Sequence, residues 1–188
     1  MMGSHRLLAK CVAFEEAARV PLLIRLPGQS SGRRMQGPVS QIDLAPTLLD
    51  LLGQPSPAHL QGKSLRPLLH GGSTATSTDD VVIEWNGPNN GFGDMLNSVT
   101  IPDWMAGLAV RDEINAAITD PVRTIVTPDG WKLNCSPRGE HELYNLRSDP
   151  LETTNLARQP QHRALMLNLL QRLQAWQERT GDTTPLTL

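Results

Sequence analysis

Cysteine is nearly absent from the 188-residue sequence, which holds only Cys11 and Cys135. Two thiols cannot build a disulfide-rich scaffold, and no Cys-x-x-Cys pair is present. One bridge and two reduced thiols fit the sequence equally well. Long apolar runs are missing too. A bilayer span needs about 18 apolar residues, and the best run, Val20–Leu26, is broken by Pro21 and Arg25. No membrane partner is therefore expected. Met1–Lys10 has basic residues but no apolar stretch before a small-residue cleavage site, so it does not read as a signal peptide. The expectation is a soluble chain, periplasmic or secreted only if another segment precedes it. Excess basic charge is also lacking. Seventeen Lys and Arg face nineteen Asp and Glu, a net charge of −2. A nucleic-acid partner is disfavoured on that ground. Finally, there is no Gly-x-Ser-x-Gly elbow, no phosphate-loop Gly-x-x-x-x-Gly-Lys and no His-Glu-x-x-His.

What is present suffices for a folded core. Apolar residues make up 39% and charged residues 19%, so wholesale disorder is excluded. Fifteen Gly and fifteen Pro imply many turns rather than a helical bundle. Charge is uneven. Residues 1–75 carry eight basic and four acidic side chains (+4), and residues 76–188 carry nine and fifteen (−6). Such a balance suits an anion near the first part, although chance and surface solvation also produce it.

Val20–Leu26, closed by Pro27-Gly28, reads as a short buried strand and turn. Gln29–Gly37 reads as a polar loop. Pro46 belongs in a first helical turn, where its missing N–H is harmless. Asp43 is then the expected N-cap and Ile42 a staple. Leu48, Leu49, Leu51 and Leu52 form a broad apolar face, and Gly53 is the stop. A short helical turn is expected near Leu65–Leu69. His70–Thr78 is small and polar, the best linker in the chain. Val81–Trp85 reads as a strand. Residues 86–120 read as a long excursion, helical around Met105–Ile118. Arg123–Thr127 and Trp131–Cys135 are strands joined by the turn Pro128-Asp129-Gly130. Glu142–Leu146 is another, giving an antiparallel meander. From Pro160 a helix runs to about Thr180 and ends at Gly181. Its stripe is Leu165, Leu169, Leu173 and Trp176, with Met166 and Leu170 beside it. A four-stranded sheet with one polar face needs such a helix over its other face.

Candidate chemistry is sparse. His59 and His70 fall in loops, and His141 and His162 in polar surroundings. None stands at metal-ligand spacing from another ligand type, so all four read as surface histidines. Cys11 is either a small core residue or a thiol whose pKa Lys10 lowers. Lys10 lies between Leu7-Leu8-Ala9 and Cys11-Val12-Ala13. An ammonium there must reach water or an anion, because burying it unpaired is costly.

Several runs carry a resemblance. They are Gly3-Ser4-His5-Arg6-Leu7-Leu8-Ala9-Lys10, then Phe14-Glu15-Glu16-Ala17-Ala18-Arg19-Val20-Pro21-Leu22-Leu23-Ile24-Arg25. Gln41-Ile42-Asp43-Leu44-Ala45-Pro46-Thr47-Leu48-Leu49-Asp50 and Leu60-Gln61-Gly62-Lys63-Ser64-Leu65 follow. Glu142-Leu143-Tyr144-Asn145-Leu146, Asp149-Pro150, Glu152-Thr153 and Asn155-Leu156-Ala157 complete the set. In order and spacing the chain resembles the back part of the sulfatase family, arylsulfatase-like members of the alkaline phosphatase superfamily.

That resemblance implies a partial α/β fold of the alkaline phosphatase type. Residues 1–75 would end the large catalytic α/β domain. Residues 79–188 would form the small C-terminal subdomain, an antiparallel sheet covered by a long helix. The implied activity is sulfuric ester hydrolysis through formylglycine and calcium. The formylglycine precursor lies in a Cys/Ser-x-Pro-x-Arg motif, which neither cysteine here begins, and the calcium ligands are expected upstream. No metal ligand is assigned in this chain, which on this reading is a fragment, inactive alone. The resemblance assigns Lys10 as the catalytic lysine that binds the sulfate group and steadies the leaving oxygen. It puts His5 in the same entry loop, available to line the pocket. Trp104, in the unassigned excursion, is available to stack on an aromatic or sugar ring of a substrate. The implied partner is a sulfated small molecule or glycan. A phosphonate or phosphodiester hydrolase of the same superfamily shares this lysine. A non-catalytic binding module is the rival from another class, and an incomplete α/β domain invites self-association.

Overall fold

Alternation along Trp131–Cys135 and Glu142–Asn145 decides how the sheet is built. A computed structural model describes residues 1, 4–6, 12–70, 76–87 and 111–188. Four strands, β1 (Val81–Glu84), β2 (Arg123–Val126), β3 (Trp131–Cys135) and β4 (Glu142–Asn145), lie in sequence order. β3 and β4 are antiparallel, with Lys132 opposite Tyr144, Leu133 opposite Leu143 and Asn134 opposite Glu142. Gly130 makes the β2–β3 turn at φ +90°, a conformation that a side chain disfavours, and its N–H donates to Thr127 O at 2.9 Å. The expected meander, its turn and its strands are all present.

Among the described residues the helices are α1 (Glu15–Ala18), α2 (Leu44–Leu51), α3 (Arg66–His70), α4 (Arg111–Thr119) and α5 (Arg163–Thr180). Short 3-10 turns at Gln41–Asp43 and Pro160–His162 lead into α2 and α5. His70 therefore ends a helix and is not in a loop. Two compact units result. One holds Met1–Val20, Ile83–Ile125 and Trp131–Leu188; the other holds Pro21–Val82 and Val126–Gly130. This grouping by compactness is a different partition from the 1–75 and 79–188 boundary, which remains a proposal about family domains.

In the first unit α5 packs on β3. Its buried residues are Met166, Leu169, Leu170 and Leu173, so the stripe is centred between the two rows expected. Leu133, Leu143, Leu169 and Leu173 are fully sealed, each worth about 1.5–3 kcal/mol of apolar burial. Beyond α5, Arg123 grips Asp182 through Nε (3.2 Å) and Nη2 (2.7 Å), while Gln177 donates to Asp182 Oδ2 and Thr184 O. Burial works to raise the Asp182 carboxyl, but these donors outweigh it and hold it below its usual range. Cys135 is a buried thiol, pushed up to about 11 by burial.

The second unit shows why the sequence pattern around α2 is so specific. Thr47 Oγ1 donates to Asp43 O at 2.6 Å and accepts Leu65 N–H at 2.8 Å. The Asp43 carboxylate accepts N–H groups from Ser40 (3.2 Å) and Lys63 (2.8 Å). Asp43 occupies the N-cap position of α2 with Leu44 first in the helix, as expected, but its side chain caps the 3-10 turn and a distant loop rather than α2 itself. A Cβ on Gly62 would lie 2.1 Å from Ile42 O, so only glycine fits there. Ser64 and Arg66 bind the Asp50 carboxylate and hold it below its usual range.

Further expectations fail in this unit. Val20–Leu26 has no regular secondary structure and joins no ladder among the described residues, and Leu23 is 92% exposed. Aliphatic composition suits a strand, but a strand also needs a neighbour to hydrogen-bond with. The expected leucine face of α2 is split: Leu49 and Leu51 are half-buried, but Leu52 is 72% exposed and Leu48 and the preceding Ile42 are exposed too, while Pro46 and Thr47 are buried. Gln36 and Thr76 form an isolated parallel bridge where a plain loop was expected.

Candidate functional site

The sheet's second face carries the chemistry. Lys132 and Asn134 share it on β3 and Glu142 and Tyr144 on β4, by period-two alternation and the observed register. Thr124 joins them from β2, donating to Asn134 Oδ1 at 2.7 Å. Alternation correctly sorts these residues onto one face. The face is nevertheless sealed: Thr124, Lys132, Asn134 and Tyr144 are all buried. Buried polar groups require partners, and here they have them.

Lys132 is the clearest case. Its side chain is 0% exposed, with Nζ 2.7 Å from Glu152 Oε1 and 3.0 Å from Glu15 Oε1. Glu152 is as deeply sealed as the lysine, its side chain 1% exposed, whereas Glu15 retains 16%. The other Glu152 oxygen, Oε2, accepts the Glu15 N–H at 2.6 Å. Glu152 adopts φ +55°, a left-handed conformation unfavourable for a glutamate. Such strain persists where surrounding contacts determine the position, and the ion pair supplies them.

The chain around Glu152 is a bracket. Asp149 accepts N–H groups from Thr153 (3.0 Å) and Thr154 (2.9 Å), which hold its carboxyl below the usual range. Asn155 accepts from Leu143 N (3.0 Å) and Ala157 N (2.9 Å) and donates to His141 O (3.1 Å). These contacts account physically for the Asp-Pro-x-Glu-Thr-x-Asn-Leu run. Next to the cluster, burial pushes Glu142 up, partly offset by the Asn134 and Tyr144 donors. Burial and neighbouring carboxylates push the Tyr144 phenol up.

Residues 12–18 lie across this face. Phe14 is buried against Tyr144, ring centroids 6.3 Å apart, with Met1, Val12 and Leu146 around them. His5, at φ +53°, stacks flat on Phe14 at 3.8 Å and 5°. Among the expected site residues, then, His5 rests on an aromatic ring of the first unit. Lys10 and Trp104 lie outside the described residues, as do Cys11 and most of the 86–120 excursion. His141 is not a surface group: it is half-buried, its Nδ1 accepts Ser136 N–H at 3.2 Å, and burial lowers its pKa. His162 lies tilted against Trp131 at 5.5 Å.

Sequence reasoning missed Lys132 and its two carboxylates. The signal was available: Lys132 is a cation inside an apolar strand, the same situation that drew attention to Lys10. Among the described residues no three His, Cys, Asp or Glu side chains gather to hold a metal ion. The described residues therefore do not fit a calcium centre.

Comparisons with known proteins agree with the motifs. Residues 3–91 match the family described as N-sulphoglucosamine sulphohydrolase, C-terminal. The human N-acetylglucosamine-6-sulfatase is 31% identical over 77% of this chain and 27% of its own length. The multifunctional alkaline phosphatase superfamily protein PehA of Trinickia caryophylli is 28% identical over 97% of this chain and 33% of its own. The chain thus spans a third or less of the length of these relatives. Among solved structures, the phosphonate monoester hydrolase SpPMH of Silicibacter pomeroyi superposes with a TM-score of 0.63 at 23% identity, covering 91% of this chain and 31% of that one. That likeness concerns the fold alone.

Proposed function

Because the chain is a relative of the sulfatases of the alkaline phosphatase superfamily, we propose that it is the C-terminal portion of a sulfuric ester hydrolase. The observation that carries this is the family match across residues 3–91, which includes His5, Lys10 and the Asp43–Gly62 framework. On this reading residues 1–75 complete a catalytic α/β domain and residues 79–188 are its smaller companion. The formylglycine and calcium that supply nucleophile and charge in the family would come from the remaining two-thirds of the relatives' length. Lys10 binds the sulfate oxygens as a compact cation and steadies the leaving oxygen. His5 and Trp104 line the substrate side. The substrate class is a sulfated small molecule or glycan, in keeping with the name of the human relative.

The isolated chain is expected to turn over no aryl sulfate but to bind inorganic sulfate weakly through Lys10. A thermal-shift titration with sodium sulfate, against sodium chloride at matched ionic strength, tests this. Stabilisation lost in Lys10→Ala supports the reading. Equal stabilisation of both proteins, or aryl sulfate turnover lost in Lys10→Ala, contradicts it.

A second reading has a specific support. PehA, by its name a multifunctional member of the alkaline phosphatase superfamily, matches 97% of the chain, which leaves room for an ester other than sulfate, and a phosphonate or phosphodiester hydrolase of that superfamily is the alternative. Phosphate stabilising the chain more than sulfate would favour it. The exposed Leu23, Leu48, Leu52 and Ile42 support association with a companion chain or a second copy, and light scattering would register it as a mass above that of one chain.

A further inference from the structure

We infer that Glu15 is a positioning residue, fastening the segment that follows Lys10 onto the polar face of the sheet. This rests on the reading of Lys10 as the sulfate-binding cation. The three charges around Lys132 are not equivalent. Lys132 and Glu152 are both sealed and together neutral. They belong to β3 and the bracket after β4, and their charges cancel without Glu15. Glu15 is the outer, partly wet member. It comes from 117 residues away in the sequence and reaches the pair twice, through its carboxylate to Lys132 and through its N–H to Glu152. Phe14 supplies the adjacent apolar anchor, buried on Tyr144 and carrying His5 on its other side.

A charged contact in such a site is strong, because little water competes with it. Glu16, next in the chain, is exposed and has no such role. Lys10 stands five residues before Glu15 in sequence, so whatever orders residue 15 limits the reach of residue 10. Glu15 touches no substrate on this account. It acts by holding residues 12–18, which follow the cation in sequence.

Hydrogen exchange and lysine acylation on the 188-residue chain test this. In Glu15→Ala, amides of residues 12–18 should exchange at least about tenfold faster, as a locally released segment does. Amides of β3, β4 and α5 should be unchanged. Inorganic sulfate should slow Lys10 acylation less in Glu15→Ala than in the parent, Glu15→Asp should recover part of that protection, and Glu16→Ala should match the parent. Unchanged exchange at residues 12–18 overturns the inference. So does loss of protection throughout the sheet, since a fastening at the edge of the cluster leaves the Lys132–Glu152 pair in place. If sulfate fails to slow Lys10 acylation in the parent, the Lys10 reading fails, while exchange at residues 12–18 still decides the role of Glu15.

Discussion

Lys132 and Glu152 face each other at 2.7 Å, both shut off from water, with the glutamate held in a left-handed backbone conformation. The pair joins β3 to the bracket that follows β4. A buried pair of this kind adds little over an apolar substitute, but breaking it is costly because one charge is left alone.

Replacing Lys132 alone should therefore be severe. Lys132→Met leaves the Glu15 and Glu152 carboxylates together without their cation, and stability should fall by about 3–5 kcal/mol. Urea denaturation followed by circular dichroism measures it. A loss below about 1 kcal/mol would mean that the cluster is solvated in solution.

Gly62 makes a separate prediction in the other unit. Any side chain there meets the Ile42–Asp43 backbone, which cannot turn aside as a flexible side chain would. Gly62→Ala should cost roughly 2–3 kcal/mol, at the upper end of ordinary substitutions. It should also loosen the Lys63 N–H to Asp43 contact, visible as faster exchange of the Lys63 amide. A variant as stable as the parent would show that the close approach is absent.

The two perturbed carboxyls Glu142 and Asp182 should respond to pH with opposite signs. Burial raises Glu142 above its ordinary value of 4.5, so the folded state holds that proton more tightly than the unfolded one. Its contribution is then most favourable in acid and declines as pH rises from about 4.5 toward the raised value. Glu142→Gln should gain stability relative to the parent over that rise. Asp182 is lowered from 3.8 despite burial, by Arg123, Gln177 and Thr184. Its contribution is present above 3.8 and is lost as pH falls through the lowered folded value. Asp182→Asn should flatten the acid limb of the stability curve. Parallel pH profiles for parent and variants would contradict both assignments.

Much of this architecture is readable from local signals. Pro46 and Gly53 bound α2, Pro128-Asp129-Gly130 turns β2 into β3, and α5 runs from the turn opened by Pro160 to Gly181. Each is a short-range rule of backbone geometry. The polar face of the sheet was readable only in part. Alternation places Lys132, Asn134, Glu142 and Tyr144 together, but their cover arrives from Phe14 and Glu15, more than a hundred residues earlier. Period-two patterning carries no information about such a cover. The same limit explains Val20–Leu26 and the leucines of α2: composition suggests what a segment can bury, not what lies beside it. Lys10 drew attention because it is a cation among apolar neighbours, and Lys132 in β3 satisfies that rule equally well.

The central claim is that Lys10 meets a sulfate group. The sequence has three lysines, and the other two serve as internal standards: Lys63 is exposed beside Asp79, and Lys132 is sealed. The most direct measurement is the acylation rate of each lysine, read by mass spectrometry, with and without inorganic sulfate at constant ionic strength. The account predicts that sulfate slows Lys10 several-fold, leaves Lys63 unchanged, and finds Lys132 unreactive throughout. Equal rates at Lys10 with and without sulfate would contradict it.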